Sequence, residues 1–261
     1  MLDHTQRGQV EVVLVRPRNP LNIGAAARAM ANFGFTRLTV VAPYAPHWRE
    51  ARSAVGAPDL LRNAPEAATL AEAVSGCSFV AGTATLARRQ PDQAAVQIQQ
   101  LALLLAGKLG NGARAALVFG SEKHGLTRDD LSYCHVLVEI PTQPSQPSMN
   151  LGQAVAVCLY ELSRGSGALN RQAAPQEPST GSAGSSAPPA PSGSLDLLAR
   201  VIEETMGASG HSPEAMRAAN QLDLRLLLRR LAFTETDARR ALRLFRRILW
   251  RLRGSQSRRG P

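Results

Sequence analysis

Short apolar, β-branched runs alternate with stretches of helical periodicity along the first 164 residues of this chain. The runs that are typical of buried strands are Val10–Val15, Leu38–Ala42, Ser78–Gly82, Ala115–Phe119 and Val136–Ile140. The helical patterns cover Ile23–Phe33, Ala67–Val74, Ala94–Leu109 and Leu151–Leu162. Strands that alternate with helices indicate parallel crossover connections and a covered sheet. We therefore expect one α/β domain over residues 1–164, a mostly parallel sheet flanked by helices.

The remaining chain divides into segments of different composition. Residues 165–194 are mostly Gly, Ser, Ala and Pro, which cannot bury a core, so we expect a disordered linker there. Residues 195–254 have helical patterns throughout and predict a small all-helical extension, followed by a flexible tail over residues 255–261. Ser212-Pro213-Glu214 predicts a helix start with a capping residue, and Thr234 with Asp237 resembles a capping box.

The last predicted helix is strongly two-sided. Its apolar side carries Ala238, Leu242, Phe245, Leu249 and Leu252. Its other side carries Arg239, Arg243, Arg246, Arg247 and Arg251. Residues 195–261 hold 14 basic and 7 acidic side chains, whereas residues 1–164 hold 15 and 12. Because arginine binds phosphate through a planar fork of donors, this side predicts a polyanion partner. A merely solvated arginine surface, or a membrane-bound basic helix, is the alternative.

Composition excludes several other classes of protein. With 261 residues and 44% apolar side chains the chain can bury a real core, and it has no apolar run long enough to span a membrane. Three scattered cysteines and five histidines without ligand spacing predict neither disulfides nor a metal site. The polar N-terminus and this cysteine usage lead us to expect a cytoplasmic protein. Glycine-rich dinucleotide or P-loop turns and a hydrolase nucleophile elbow are missing from the sequence.

Three polar segments each follow an apolar run, where α/β proteins build their sites. They are residues 22–28 (NIGAAAR), 119–126 (FGSEKHGL) and 147–151 (PSMNL). Asn22 can cap a helix whose second turn carries Arg28, although an ordinary surface arginine is the simpler alternative. Gly120 lets backbone approach a ligand, and Glu122 could hold a cation or position Arg28, unless the turn is only solvated.

Together, the three segments predict a pocket for a polar small molecule beside a cation. Ser148 and Asn150 precede the apolar helix that begins near residue 151. A simple helix N-cap explains one of these two polar residues but not both.

In this order and spacing, the three segments resemble the three motifs of the SPOUT class of RNA methyltransferases, and more closely those of the TrmH-like ribose 2′-O-methyltransferases. Gly82-Thr83 followed by Arg88, together with the helical extension, is similar to the TrmJ group of tRNA methyltransferases. The resemblance covers about residues 10–162. It implies a SPOUT fold with a deep trefoil knot, an exception to the usual unknotted topology.

The resemblance also implies a cofactor, S-adenosyl-L-methionine, and a homodimer whose active sites are completed near the partner. By motif position, the cofactor contacts would be Thr83, Ala84, Thr85, Gly120, Ile140, Pro147, Ser148, Met149 and Leu151. The catalytic group would be Arg28, Asn22, Glu122, Ser148 and Asn150. Arg88 would grip the RNA backbone, with Arg239, Arg243, Arg246 and Arg247 on the tRNA body.

The implied reaction is methylation of a ribose 2′-hydroxyl in tRNA, on cytidine or uridine at position 32, the first nucleotide of the anticodon loop. Three alternatives remain open from the residues alone. The target could be another tRNA position or a ribosomal RNA. The protein could also be a knotted RNA-binding protein without catalysis, or a membrane-associated basic protein.

Overall fold

The structure is a computed structural model that describes residues 2–85, 91–110, 112–164 and 188–257, with side chains to residue 254. Its seven strands form one sheet in the order β3-β2-β1-β6-β4-β7-β5. The strands are β1 (Val10–Val15), β2 (Arg37–Val41), β3 (Glu66–Ala67), β4 (Phe79–Thr83), β5 (Ala94–Gln97), β6 (Ala115–Phe119) and β7 (Val136–Glu139). Every pairing in this sheet is parallel. The predicted parallel α/β architecture is therefore confirmed.

Helices cover both faces of the sheet and continue beyond it. In the parallel-sheet domain (residues 2–164) they are α1 (His4–Arg7), α2 (Pro20–Phe33), α3 (Pro58–Asn63), α4 (Leu70–Val74), α5 (Ile98–Lys108), α6 (Arg128–Ser132) and α7 (Leu151–Ser163), with a 3₁₀ turn at Trp48–Glu50. In the helical tail (residues 188–257) they are α8 (Ser192–Ala208), α9 (Arg217–Arg230) and α10 (Glu235–Ser257), with a 3₁₀ turn at Glu214–Met216.

The central strands are buried on both faces, as their mostly apolar sequences indicate. The exception is Glu11 of β1, a buried carboxylate that accepts from Arg37 (3.0 Å) and Thr39 (2.7 Å). All six residues of β1 and all five of β6 are buried. Alternate residues of β1 pack on opposite faces: Val12 and Leu14 face α2, α5 and α7, whereas Val13 and Val15 face the side of α4 and α6. This sandwich fixes the carboxyl ends of β1, β4, β6 and β7 at one edge.

Two short strands replace parts of predicted helices. Ala94–Gln97 forms β5 beside β7, and Glu66–Ala67 forms β3 beside β2. The helical spacing there was wrong locally because sheet pairing supplies backbone hydrogen bonds that override a weak helix preference. The strand order places β7 between β4 and β5, which is compatible with a knotted path. The knot itself stays a prediction.

The boundaries of the tail differ slightly from the sequence expectation. α8 begins at Ser192, three residues earlier than expected, because two backbone amides at its start bind the sheet domain: Ser192 N–H donates to Cys77 O (2.9 Å) and Gly193 N–H to Ser75 O (3.0 Å). α10 continues to Ser257, into the expected flexible tail. The expected Ser212 start gives only a 3₁₀ turn without a side-chain cap. Residues 165–187 and 258–261 lie outside the described residues.

Candidate active site

A cavity of about 460 Å³ opens at the carboxyl ends of β4, β6 and β7. Parallel α/β sheets bind ligands at this edge, and the volume is in the range of small-molecule sites. Its lining comes from the segments that follow these strands and from the start of α7. The lining residues are Thr83, Ala84, Thr85, Phe119, Gly120, Ser121, Glu122, Lys123, His124, Gly125, Leu126, Val138, Ile140, Thr142, Pro147, Ser148, Met149, Leu151 and Ala154.

All nine residues that the resemblance assigned to the cofactor line this one cavity. Two residues of the expected catalytic group, Glu122 and Ser148, line it as well. Asn22, Arg28 and Asn150 are not among its lining residues. Arg88 lies outside the described residues. The structure therefore brings the second and third motifs together at this cavity, while Asn22, Arg28 and Asn150 of the expected catalytic group lie outside its lining.

Hydroxyl groups fix the backbone of the segment that leads into α7. The carbonyl oxygen of Pro147 accepts hydrogen bonds from the hydroxyls of Thr85 and Thr142, both at 3.3 Å. The Thr83 hydroxyl donates to Val118 O at 3.1 Å, which joins the ends of β4 and β6. These bonds hold the walls of the cavity together across segments that are distant in sequence.

Gly120 is required for a different reason from the one expected. A Cβ at Gly120 would lie 2.0 Å from the carbonyl carbon of Gly125 and 2.2 Å from the nitrogen of Leu126. The turn after β6 folds back here, with a hydrogen bond from Gly125 N–H to Ser121 O (2.8 Å). Gly125 itself has a φ of +63°, which favours glycine. Protein backbone, not a ligand, occupies the space beside Gly120.

A chain of hydrogen bonds joins the three motifs. The Glu122 carboxylate accepts from the side-chain amide of Asn22 (2.8 Å) and from the backbone amides of Arg18 (2.9 Å) and Asn19 (3.1 Å). The side-chain oxygen of Asn22 (Oδ1) in turn accepts a hydrogen bond from the Asn150 side-chain amide at 2.9 Å. These hydrogen bonds therefore fix the positions of the loop after β6, the start of α2 and the start of α7 relative to one another.

These contacts set the charge of Glu122. Burial raises the pKa of this carboxyl, but the hydrogen bonds from Asn22 and from the amides of Arg18 and Asn19 outweigh it and lower the pKa below its usual value. Glu122 therefore carries a full negative charge at the cavity near neutral pH.

The structure corrects the expected capping roles. Asn19, not Asn22, caps α2, with its side chain accepting from Leu21 N–H at 2.9 Å. Pro20 occupies the first position of the helix, where its missing N–H costs nothing, so the helix starts earlier than the sequence interpretation placed it. Asn150 caps α7 by accepting from the amides of Gly152 (2.9 Å) and Gln153 (3.3 Å). Ser148 is left free of this role and lines the cavity.

Arg28 is exposed on α2, six residues after Asn22. Its side chain forms no hydrogen bond or ion pair among the described residues. Glu122 bonds to Asn22 and the preceding amides instead. Glu122 therefore does not orient Arg28 directly, and the Arg28 guanidinium is available to an external anion.

On the helical tail, the two sides of α10 are as expected. Ala238 and Leu249 are buried, and Leu242 and Phe245 pack with α8 and α9. The predicted RNA-binding arginines Arg239, Arg243, Arg246 and Arg247 are all exposed. Arg239 pairs with Glu235 at 2.7 Å, whereas Arg243, Arg246 and Arg247 pair with no carboxylate in the part of the chain that the structure describes.

Two other tail arginines have structural roles that the sequence did not reveal. Arg229 is buried and donates to Tyr133 O (3.0 Å) and to the Asp196 carboxylate (2.9 Å). Arg225 pairs with Asp129 at 2.6 Å and lies over the ring of Tyr133. The bonds to Tyr133 and Asp129 dock α9 onto α6 and the residue that follows it, whereas the bond to Asp196 joins α9 to α8 within the tail. Only their place on the buried side of an amphipathic helix could have signalled this.

Nine further residues line the cavity. Phe119, Ser121, Lys123, His124, Gly125 and Leu126 belong to the segment 119–126 that the sequence analysis named without individual roles, whereas Val138, Thr142 and Ala154 were missed. Over the described ranges, no group of three or more His, Cys, Asp or Glu side chains could hold a metal ion. No described helix is long and apolar enough to cross a membrane.

Comparisons with known proteins support the motif assignment. Residues 9–160 match the SpoU rRNA Methylase family. The tRNA (cytidine/uridine/adenosine-2′-O-)-methyltransferase TrmJ of Pseudomonas aeruginosa is 42% identical over 155 residues, covering 59% of this chain and 60% of that protein. The tRNA (cytidine/uridine-2′-O-)-methyltransferase TrmJ of Klebsiella pneumoniae is 38% identical, covering 64% and 68%. The match thus spans less than two thirds of the Pseudomonas protein.

Solved structures extend the similarity beyond the sheet domain. The crystal structure of TrmJ from Z. mobilis ZM4 superimposes with a TM-score of 0.75 at 29% identity, covering 93% of this chain and 98% of that one. A probable methyltransferase from Bordetella pertussis gives 0.57 at 30% identity, covering 62% and 98%. The predicted resemblance is confirmed, and the chain belongs to the SpoU rRNA methylase family.

Proposed function

We propose that this protein is an S-adenosyl-L-methionine-dependent tRNA ribose 2′-O-methyltransferase that acts on cytidine or uridine at position 32. The observation that carries the proposal is the single cavity that collects all nine expected cofactor residues. Relatives named as TrmJ tRNA (2′-O-)-methyltransferases support tRNA as the substrate and a ribose 2′-hydroxyl as the group that is methylated. We also propose a cytoplasmic location and the division into residues 1–164 and 195–254 as catalytic and tRNA-binding parts.

The residues present fit the proposed cofactor. Leu126, Ile140 and Leu151 give the cavity apolar walls for a purine or a methylene chain. The ionised Glu122 places a negative charge at the same cavity, which favours a ligand with a positive sulfonium. The cofactor, when bound, supplies a methyl group on a sulfonium that is already a good leaving group. The protein has then only to align the ribose and to assist loss of the hydroxyl proton.

We assign Arg28 to the substrate. A guanidinium keeps its proton in proteins and is a poor general base, so Arg28 acts as a clamp on a substrate phosphate and stabilises the developing alkoxide. The phosphate oxygen or water takes the proton. Asn22, Glu122 and Asn150 are positioning residues, because their hydrogen bonds fix the starts of α2 and α7. Ser148 contacts the substrate side of the cavity.

A homodimer completes this proposal. Arg28 is exposed and does not line the cavity of its own chain. We therefore place it toward the cavity of a second copy, so that each site combines the cofactor segments of one chain with Arg28 of the other. Mixing an Arg28→Ala chain with a Ser148→Ala chain tests this arrangement, because mixed dimers would regain one intact site. No regained activity in verified mixed dimers would contradict it.

The helical tail is assigned to the tRNA body. Arg243, Arg246 and Arg247 have no carboxylate partner in the described chain, and phosphate binding releases counterions in proportion to the contacts made. Replacing these three by alanine should reduce the salt slope of tRNA binding by about three. An unchanged slope would assign the surface to another role. Arg88 remains a predicted backbone contact.

Mapping of ribose methylation by mass spectrometry tests the function. Total RNA from cells that lack this protein is compared with RNA from cells complemented by wild type or by Arg28→Ala. The proposal expects loss of one 2′-O-methyl mark at position 32 of tRNA, restored by wild type alone. Loss of a mark elsewhere in tRNA or in ribosomal RNA would identify the alternative target. Loss of no mark, with RNA binding intact, would leave a binding protein without catalysis.

A further inference from the structure

Trp250 stands out on the arginine side of α10. Its side chain is 72% exposed, although tryptophan is the side chain with most to gain from burial. The other tryptophan of the chain, Trp48, is fully buried and donates its ring N–H to Glu66 at 3.1 Å. The described residues therefore do not cover Trp250, and its exposed ring is available to an external partner.

The helix places Trp250 among unpaired cations. Residues three, four and seven positions apart lie on the same side of an α-helix, so Arg247, Arg246 and Arg243 share the side of Trp250. All three pair with no carboxylate among the residues described. Together, Arg239, Arg243, Arg246, Arg247 and Trp250 define what we term the Trp–Arg face, which is about 16 Å long at the usual helical rise.

We propose that the Trp–Arg face binds single-stranded RNA, with Trp250 stacking on an unpaired base while the arginines hold the flanking phosphates. The inference rests on the proposed function for the RNA, but it assigns a role that the family motifs do not reach. A positively charged surface interleaved with an aromatic ring is the chemistry that recognises single strands, since every base has a face on which to stack. A duplex hides those faces.

A membrane surface is the competing partner, and the geometry of α10 disfavours it. Amphipathic helices that lie in membranes place tryptophan on their apolar side. Here the apolar side is occupied, because Leu242 and Phe245 pack against α8 and α9. Trp250 lies on the opposite, arginine side, where insertion into acyl chains would carry unpaired charges with it.

Fluorescence gives a direct test, because Trp250→Ala retains only the buried Trp48. The difference in emission between wild type and this variant reports Trp250. Short single-stranded RNA should quench it, whereas inorganic polyphosphate, which offers charge without bases, should not. Equal quenching by polyphosphate would mean that the Trp–Arg face binds by charge alone, and it would overturn the proposal that Trp250 stacks on a base. A blue shift with anionic lipid vesicles and none with RNA would assign the face to membranes. Poor acrylamide access in the free protein would mean that another surface already covers Trp250.

Affinity measurements complete the test. Trp250→Ala should weaken binding of single-stranded RNA at least about fivefold, while Trp250→Phe, which keeps a stacking ring, should retain most of it. Leu244→Ala is the control, since Leu244 is also exposed on α10 (57%) but lies about 120° around the helix from Trp250. Binding of duplex RNA should not change in any of the three. Equal loss on duplex and single strand would contradict the proposal.

These readouts separate the inference from the function on which it rests. They measure binding and fluorescence, not methyl transfer. If methylation of tRNA occurs but Trp250 shows no base-dependent quenching, the stacking role alone fails. If quenching occurs but cells lacking the protein lose no methyl mark, the proposed reaction fails and the RNA surface stands.

Discussion

The parallel-sheet domain and the helical tail treat their charged side chains in opposite ways. At the cavity, Glu122 already accepts three hydrogen bonds from its own chain. On the outer side of α10, Arg243, Arg246 and Arg247 are exposed without a carboxylate partner in the described chain. A site that aligns a small molecule gains from groups fixed before binding, whereas a surface for a polyanion needs cations that are still free. The contrast separates a preorganised site from an electrostatic surface.

The seam between the two regions follows neither pattern. There, Arg229 is buried and Arg225 is half-buried, and both bind groups of their own chain: Arg229 bonds to Tyr133 and Asp196, and Arg225 to Asp129. Inner arginines of the tail therefore hold it to the sheet domain, whereas Arg243, Arg246 and Arg247 on its outer side pair with no carboxylate among the described residues. Within one helical region, position on the helix decides whether an arginine is structural or available.

The largest effect is expected at this seam, from Arg229→Met. The guanidinium is almost completely buried (2% exposed), and its loss leaves the Asp196 carboxylate unpaired, which typically costs about 3–5 kcal/mol. Urea unfolding should show this loss, and amide exchange should place it in α8 to α10. Arg230→Met is the matched control, because Arg230 is the exposed neighbour on the same helix. A loss below about 1 kcal/mol would mean that Arg229 does not hold the tail.

The next largest effect is expected from Arg28→Ala. Arg28 lies on the sheet domain but resembles the outer arginines of the tail in being exposed and unpaired within the described residues. Methyl transfer to tRNA should fall at least about 10²-fold, as for removal of one transition-state donor, while affinity for the methyl donor is unchanged. Arg28→Lys should recover little, because an ammonium lacks the bidentate fork.

Arg128→Ala, a change at another exposed arginine of the domain, serves as the control for Arg28 and should leave turnover unaltered. Near-normal turnover of Arg28→Ala would place Arg28 with the inert surface residues and remove it from the reaction.

The sequence predicted the sheet domain better than the tail, for a physical reason. The strands Val10–Val15 and Ala115–Phe119 have the predicted bounds, because a strand buried on both faces is mostly apolar and stands out from the loops that flank it. The segment 119–126, which lines the cavity, was predicted for the same reason, since it begins at the end of β6. Docking of the tail depends on contacts over long sequence separations, such as Arg229 to Tyr133, which no local pattern encodes.

Some details inside the site also escaped the sequence. Asn22 looked like a helix cap, but Pro20 starts the helix two residues earlier and leaves Asn19 as the cap. The freed Asn22 side chain then joins Glu122 to Asn150, a role that spacing alone does not reveal. Trp250 was not singled out from the sequence, although helical spacing places it on the arginine side of the last predicted helix. The structure shows that its side chain is exposed there.

Preorganisation of the cavity can be tested through Gly120→Ala, with a smaller expected effect. The new methyl group would lie only 2.0 Å from the Gly125 carbonyl carbon and 2.2 Å from the Leu126 nitrogen. Both distances are far shorter than van der Waals contact, so the turn after β6 must shift. We expect a loss of about 1–3 kcal/mol in unfolding free energy, the usual range for overpacking, together with weaker binding of the methyl donor.

Gly107→Ala is the matched control for Gly120→Ala. Gly107 is exposed on α5 with no atom within 4 Å of a built Cβ. Alanine there should be neutral or stabilise the helix by up to about 1 kcal/mol. If Gly120→Ala behaves like this control, the turn is free to move and the cavity is not fixed before binding.

The smallest effect is expected from the charge of Glu122. Its pKa in the folded protein lies below the usual value of 4.5, so the folded state binds fewer protons than the unfolded state in that range. Its contribution is fully present above about pH 4.5 and is lost as the pH falls through the lower folded-state pKa. Because solvent screens this exposed carboxylate, we expect less than about 1 kcal/mol.

The comparison is between wild type and Glu122→Gln, by urea unfolding from neutral pH to about pH 3. The gap between their stabilities should narrow on acidification, since protonated Glu122 and glutamine are both neutral. The corresponding loss of a cation on the tail, Arg247→Ala, should give a stability difference from wild type that is flat over this pH range, because no carboxylate of the described chain pairs with Arg247. If the stability difference between wild type and Glu122→Gln also stays constant with pH, the hydrogen bonds at Glu122 act through geometry alone. The charge of Glu122 would then not distinguish the fixed cavity from the free tail surface.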